Sequence, residues 1–305
     1  MTPTPEQEVA VLKSVTYAAL FDYPLTLEQL HASLVGVRAT PAAVLAWWQR
    51  SEFLQANVEY VDGWFFPAGH RDLVAIRARR ERVSRDLLAR DGRILRLIAG
   101  LPFVRMVAVS GSLAHLNAEG SADLDLFVVT APGRVWSVTL TALVIAKLLG
   151  IRKHICLNYV LSERAMSIDP QDLFSANQII HLRPTFGRRV FERFVKSNEF
   201  VRAYYPNFEL ETIEAASAGH GLKMVVERVL SLGPAQLAEQ VARTVYTWHL
   251  RRKAATWQSR DQVKLEPECL KLHTSSHRAA TMERFAAALE NATTKNTKAL
   301  KVLAS

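Results

Sequence analysis

The sequence predicts a small α/β core, a mixed sheet with helices, set between an N-terminal group of short helices closed by a hairpin and a C-terminal helical domain. Three observations carry this. Strand and helix patterns alternate from Val104 to Ser162, capping residues and a turn dipeptide punctuate residues 1–70, and helical runs broken by glycine and proline follow Asp169. The 305 residues can bury a sizeable core and accommodate about two domains or more. Boundaries are expected between 1–70, 71–100, 101–165 and 166–305.

In the first segment, Val9, Leu12, Val15 and Ala19 recur at helical spacing until Asp22-Tyr23-Pro24-Leu25-Thr26 interrupts them. Thr26 is an N-cap for a second helix over 27–34, and Thr40-Pro41 supplies a cap and an N1 proline for a third. Two strands, 54–58 and 64–66, follow around Asp62-Gly63, a hairpin-turn dipeptide. Three helices and a hairpin resemble a winged helix. Its docking helix, 40–50, has Arg50 as its single cation and two bulky apolar residues, Trp47 and Trp48, which suits packing better than major-groove readout.

The next segment places Ile76, Val83, Leu87, Ile94 and Ile98 at the period of one helix face. Its other face holds Arg77, Arg79, Arg80, Arg82, Arg85, Arg90, Arg93 and Arg96 with Glu81, Asp86 and Asp91, which reads as a solvated linker helix with local ion pairs. Phosphate contact is the alternative for this face.

Composition is that of a folded chain, 49% hydrophobic and 22% charged, and excludes wholesale disorder. The opening MTPTPEQEVAVLK lacks a basic n-region and a following apolar stretch, and the two cysteines, Cys156 and Cys269, have neither metal-ligand spacing nor disulfide density. A cytoplasmic location is expected. The apolar run from Val135 to Leu149 is shorter than the ~20 residues of a membrane span and contains Ser137, Thr139, Thr141 and Lys147. It reads as a buried core helix, and no membrane span is expected. The net charge of +9 calls for an anionic partner, be it nucleic acid, nucleotide or lipid headgroup, and no amphipathic basic segment stands out to select the lipid.

The chemistry concentrates between the first two core strands. Ser110-Gly111-Ser112-Leu113-Ala114 leaves one strand, and Ser121-Ala122-Asp123-Leu124-Asp125-Leu126 begins the next. Residues two apart in a strand share a face, so Asp123 and Asp125 present paired carboxylates while Leu124 and Leu126 point to the core. Paired carboxylates suit Mg²⁺ or Mn²⁺, which take oxygen ligands together with substrate phosphates. Gly111 lets backbone approach a triphosphate, and the Ser112 hydroxyl can donate to it. Lys153, with Lys147 and Arg152, precedes the third strand and can reach the same phosphates or cap the preceding helix.

This GS pair followed by Asp-x-Asp on the next strand resembles the DNA polymerase beta-like nucleotidyltransferase superfamily, over roughly Val104 to Ser162. The resemblance implies an α/β nucleotidyltransferase core flanked by the winged-helix-like domain and the C-terminal helical domain. It implies that Gly111 and Ser112 bind the incoming nucleotide, that Asp123 and Asp125 hold the metal, and that a nucleoside monophosphate passes from an NTP to a hydroxyl or phosphate acceptor, nucleic acid or protein included. The superfamily's third carboxylate, on a later strand, has Asn158 in its place. Asparagine can ligate or orient but cannot accept a proton, which leaves Glu163 or Asp169 as substitutes, substrate phosphate or solvent as the proton's acceptor, or a regulatory protein that senses nucleotide or binds DNA with reduced catalysis.

In the last segment, His273-x-x-x-His277 reads as two surface histidines. Leu237, Val241, Val245 and Trp248 form a stripe expected in the core, ended by Arg251, Arg252 and Lys253 at a helix C-terminus.

Overall fold

A computed structural model describes residues 2–210 and 220–293; residues 211–219 and 294–305 of the C-terminal segment lie outside the described residues. The N-terminal helices form where capping dictates. Thr4 and Thr26 each close a capping box, with Gln7 and Gln29, to start α1 (Pro5–Ala19) and α2 (Leu27–Ala32), and Thr40 caps α3 (Pro41–Arg50) through the Ala43 amide. The strand expected over 54–58 is instead mostly helix: Ser51 accepts from the Leu54 amide and starts α4 (Glu52–Asn57), with Glu52 favourably placed in the first turn. β1 (Val58–Val61) and β2 (Trp64–Pro67) then pair antiparallel around Asp62 and Gly63, whose φ of 54° and 86° are those of a type I′ hairpin turn. Trp48 packs edge-on against Tyr60 and Phe65 and donates its indole N–H to the Val58 carbonyl at 2.8 Å, so this helix uses its aromatic face internally.

α5 (Asp72–Gly100) spans the arginine-rich segment, and its face is not uniformly solvated. Arg77 is 2% exposed, its guanidinium 3.5 Å from the centre of the Tyr23 ring and donating to the Pro24 carbonyl. Arg80 pairs with Asp22 and Glu119, while Arg85 and Arg90 pair with Glu81 and Asp91 on the helix itself. Inward arginines tie segments together because each finds acceptors that offset its desolvation.

The central sheet is mixed, with order β6-β3-β4-β5-β8-β7. In chain order it is built from β3 (Val104–Val109), short helix α6 (Gly111–Ala114), β4 (Leu124–Thr130), α7 (Val135–Leu148), β5 (Ile155–Ser162), α8 (Leu173–Ile180), β6 (Arg183–Phe186), α9 (Arg188–Lys196) and α10 (Phe200–Tyr204). After residue 219 come α11 (His220–Leu232), α12 (Ala235–Arg251), β7 (Val263–Glu266), β8 (Cys269–Leu272) and α13 (Arg278–Thr293). β4 and β5 run parallel and the other pairings are antiparallel. The helical reading of 166–305 is therefore corrected: β6, β7 and β8 come from it. Each has four residues, too short to display a period, and Pro184 is tolerated because β6 is an edge strand.

Strand alternation sorts the core into two layers. Met106, Ala108, Phe127 and Val129 pack with the N-terminal helices, whereas Val107, Val109, Leu124, Leu126 and Val128 pack against α5 and α7. Two sequence expectations change on the second layer. α7 buries Trp136, Ala142 and Ala146 but leaves Val144, Leu148 and Leu149 exposed, so one face alone is core. The stripe Leu237, Val241, Val245 and Trp248 is between 52% and 59% exposed, because α12 packs on α7 through Glu239, Ala242, Tyr246 and Leu250 instead. Among the described residues no helix is long and apolar enough to cross a membrane.

Candidate functional site

Strand alternation that buries Leu124 and Leu126 turns Asp125 to the opposite face of β4, the one shared with the N-terminal helices, and Asp123, the residue just before β4, lines the same cavity. Parallel pairing with β5 then lays Cys156 and Asn158 beside them. Asn158 Nδ2 donates to Asp125 Oδ1 at 3.0 Å, and the Cys156 thiol lies 3.9 Å from Asp123 Oδ2. On the other side the Ser110 amide donates to the Asp125 carbonyl at 2.9 Å, which seats the turn leaving β3 against β4.

That turn requires Gly111. Its φ is +65°, and a Cβ there would stand 2.5 Å from Asp125 Oδ2. Backbone and carboxylate thus meet with no side chain between them. The neighbouring Ser112 is exposed, and its carbonyl accepts from the Asn117 amide at 2.9 Å, closing the loop between α6 and β4.

The electrostatics are those of crowded anions. Burial and the adjacent Asp123 charge push the Asp125 carboxyl up to about 6, against the pull of the Cys156 and Asn158 donors. Burial and the same two carboxylates push the Cys156 thiol up to about 11, so it remains a protonated donor rather than a nucleophile. The described residues bring no ion-pair partner to either aspartate. Glu163 is engaged by Arg105 and Arg193, and the Asp169 carboxylate pairs with Lys264 at 3.1 Å, so neither joins the pair as a third acid. Asp169 does line a smaller neighbouring cavity of about 240 Å³ together with Asp125 and Asn158. Among the described residues, no group of three or more His, Cys, Asp or Glu side chains gathers to ligate a metal. The donor set is two carboxylates, with Asn158 in contact. Two carboxylates completed by substrate phosphates and water fit Mg²⁺, which keeps several waters and uses few protein ligands.

Gly111, Ser112, Asp123, Asp125 and Asn158 all line one cavity of about 770 Å³. Lys153 does not: it is exposed in the turn before β5 and is absent from the lining. The rest of the lining comes from elsewhere in the chain and includes several rings, with Tyr17 on α1 and Tyr23 just after it, His115 after α6, Phe174 and His181 at the two ends of α8, and His273 after β8. His115 and His181 stack with ring centroids 4.0 Å apart, and burial holds both imidazoles below their ordinary value, His181 at about 4. His273 is half-buried, edge-on to Tyr159 and held at about 4 by burial and Lys271. It lies in a turn, not on a helix with His277, although both line the cavity; the reading as two surface histidines is corrected for His273. No local sequence signal marks these wall residues, because each is delivered by the packing of separate segments. Comparison with family models, curated proteins and solved structures finds no match to the chain.

Proposed function

We propose that the protein is a metal-dependent nucleotidyltransferase that passes a nucleoside monophosphate from an NTP to a hydroxyl or phosphate acceptor and releases pyrophosphate. In this reading residues 101–165 are the nucleotidyltransferase core, the N-terminal winged-helix-like module packs inward, and the C-terminal segment completes the sheet. The observation that carries it is the pairing of Asp123 and Asp125, two carboxylates at the start of β4, beside a glycine turn and in a cavity large enough for a nucleotide.

Asp123 and Asp125 are the residues that would hold Mg²⁺ or Mn²⁺ in competition with protons. When bound, such a cation offsets their mutual repulsion and supplies positive charge to the triphosphate at the reacting phosphorus and the leaving pyrophosphate. The chain's own residues do the rest. Gly111 admits a phosphate to the backbone without a side chain in the way, and the Ser112 hydroxyl donates to it. Asn158 holds one oxygen of Asp125 and so fixes the direction of the other. The acceptor oxygen attacks the α-phosphorus, the bond from that phosphorus to the bridging oxygen of pyrophosphate breaks, and the acceptor proton passes to a phosphate oxygen or to water, since Asn158 cannot take it.

A second reading follows from Asn158 itself: the site binds NTP and metal yet turns over slowly, as a nucleotide sensor. Incubation with Mg²⁺ or Mn²⁺, each α-labelled NTP and candidate acceptors separates the two. Label transfer by the wild type that is lost in Asp123→Ala/Asp125→Ala supports the enzyme. Equal transfer by both contradicts it, and metal-dependent NTP binding without pyrophosphate release selects the sensor.

A further inference from the structure

We propose that α7, α11 and α12 form a surface that seats the protein on an anionic lipid bilayer, lying on it rather than crossing it. The first observation is that α11 is turned inside out. Its charged side faces the body: Glu227 accepts from the two terminal Arg105 guanidinium nitrogens at 2.8 Å and from the Phe103 amide at 2.6 Å, and Lys223 Nζ donates to the Ala99 and Val104 carbonyls at 2.8 Å. Its apolar side faces out, with Met224, Val225, Val229 and Leu232 between 59% and 84% exposed. A helix at a water boundary has the reverse pattern.

The second observation is that α12 packs against both α7 and α11, and its outer side carries the bare stripe Leu237, Val241, Val245 and Trp248, while α7 adds Leu148 and Leu149. Exposed apolar side chains on three packed helices exceed the scattered single residues normal on a protein surface.

Charge selects the occupant. The three helices contain two carboxylates, Glu227 and Glu239, and both are used inward: Glu227 on Arg105, and Glu239, buried, accepting from the Trp136 and Ser137 amides. Their exposed charges are cations, Lys147, Arg228 and Arg251, followed by Arg252 and Lys253 just beyond α12. A second copy seated on this face would set these cations against their own counterparts. Anionic headgroups complement them, and acyl chains take the valines and leucines. Trp248, with the Arg252 guanidinium 4.1 Å from its ring, pairs an apolar plate with a cation, as suits the headgroup level.

The test is co-sedimentation of the full chain with phosphatidylcholine vesicles made with and without phosphatidylglycerol. Binding to the anionic vesicles alone is expected, weakened about tenfold or more by Val241→Asp/Val245→Asp and about fivefold for each of Arg251→Gln and Arg252→Gln. Brominated acyl chains should quench fluorescence of the bound protein, and Trp248→Phe should lose that component. Asp123→Asn/Asp125→Asn should bind vesicles like the wild type, which keeps this result separate from the proposed catalysis. Absence of anionic preference overturns the proposal. So does binding that Val241→Asp/Val245→Asp leaves intact, which is charge attraction alone, or a lipid-free dimer that the same pair of substitutions dissociates.

Discussion

Asn158 and Gly111 show how much of the site hangs on single atoms. The Asn158 amide is the donor that holds Asp125 Oδ1, so Asn158→Ala should lower the affinity for metal-NTP by about 10- to 100-fold while leaving the melting temperature close to the wild type. Calorimetric titration of NTP with Mg²⁺ checks this, and unchanged affinity removes Asn158 from the site. Gly111→Ala should instead be felt in the fold. With φ at +65° and a Cβ 2.5 Å from Asp125 Oδ2, it forces either the turn or the carboxylate to move, at about 1–3 kcal/mol. A thermal melt measures it, and a variant as stable as the wild type contradicts the close approach.

At the scale of elements, α7 depends on a distant residue for its start. Arg134 at its N-cap makes no side-chain cap, and the first-turn amides of Trp136 and Ser137, which have no partner within the helix, donate to the carboxylate of Glu239 on α12. Glu239→Gln keeps the shape and removes the charge, and should cost about 1–2 kcal/mol in urea denaturation. No loss of stability would mean that α12 does not hold α7. Such long-range dependence marks the limit of what the chain reveals residue by residue. The strands 104–109, 124–130 and 155–162 are legible because apolar runs and turn residues frame them, and Asp123 and Asp125 because a carboxylate inside such a run is out of place. β6, β7 and β8 are not legible, since four residues show no period and their strand character comes from pairing with neighbours. The α12 stripe misleads for a related reason: periodicity reports that an apolar face exists but not which partner covers it. The cavity wall is likewise invisible locally, because Tyr17, His115, His181 and His273 meet only after the N-terminal helices, the sheet and the segment after β8 pack.

For the whole molecule, that packing gathers His115, His181 and His273 around one cavity, all held by burial below the ordinary imidazole value of 6.5. A histidine whose folded value is depressed takes up a proton more readily once unfolded. Its contribution is therefore present above about pH 6.5 and is lost as the pH falls toward the folded value, about 4 for His181 and His273. Unfolding free energies from urea titrations should fall between pH 7 and pH 5, by up to about 2 kcal/mol for each of His181 and His273, and His181→Gln should flatten the profile. A profile as steep in the variant as in the wild type contradicts the assignment. The same packing brings the acidic pair, proposed to hold metal and nucleotide, into the lining of that cavity. The most direct measurement is electron paramagnetic resonance of Mn²⁺ titrated with protein in the presence of NTP. The free-ion signal should fall with the wild type and persist with Asp123→Asn/Asp125→Asn. An equal loss of signal with both proteins, or no loss with the wild type, contradicts the account.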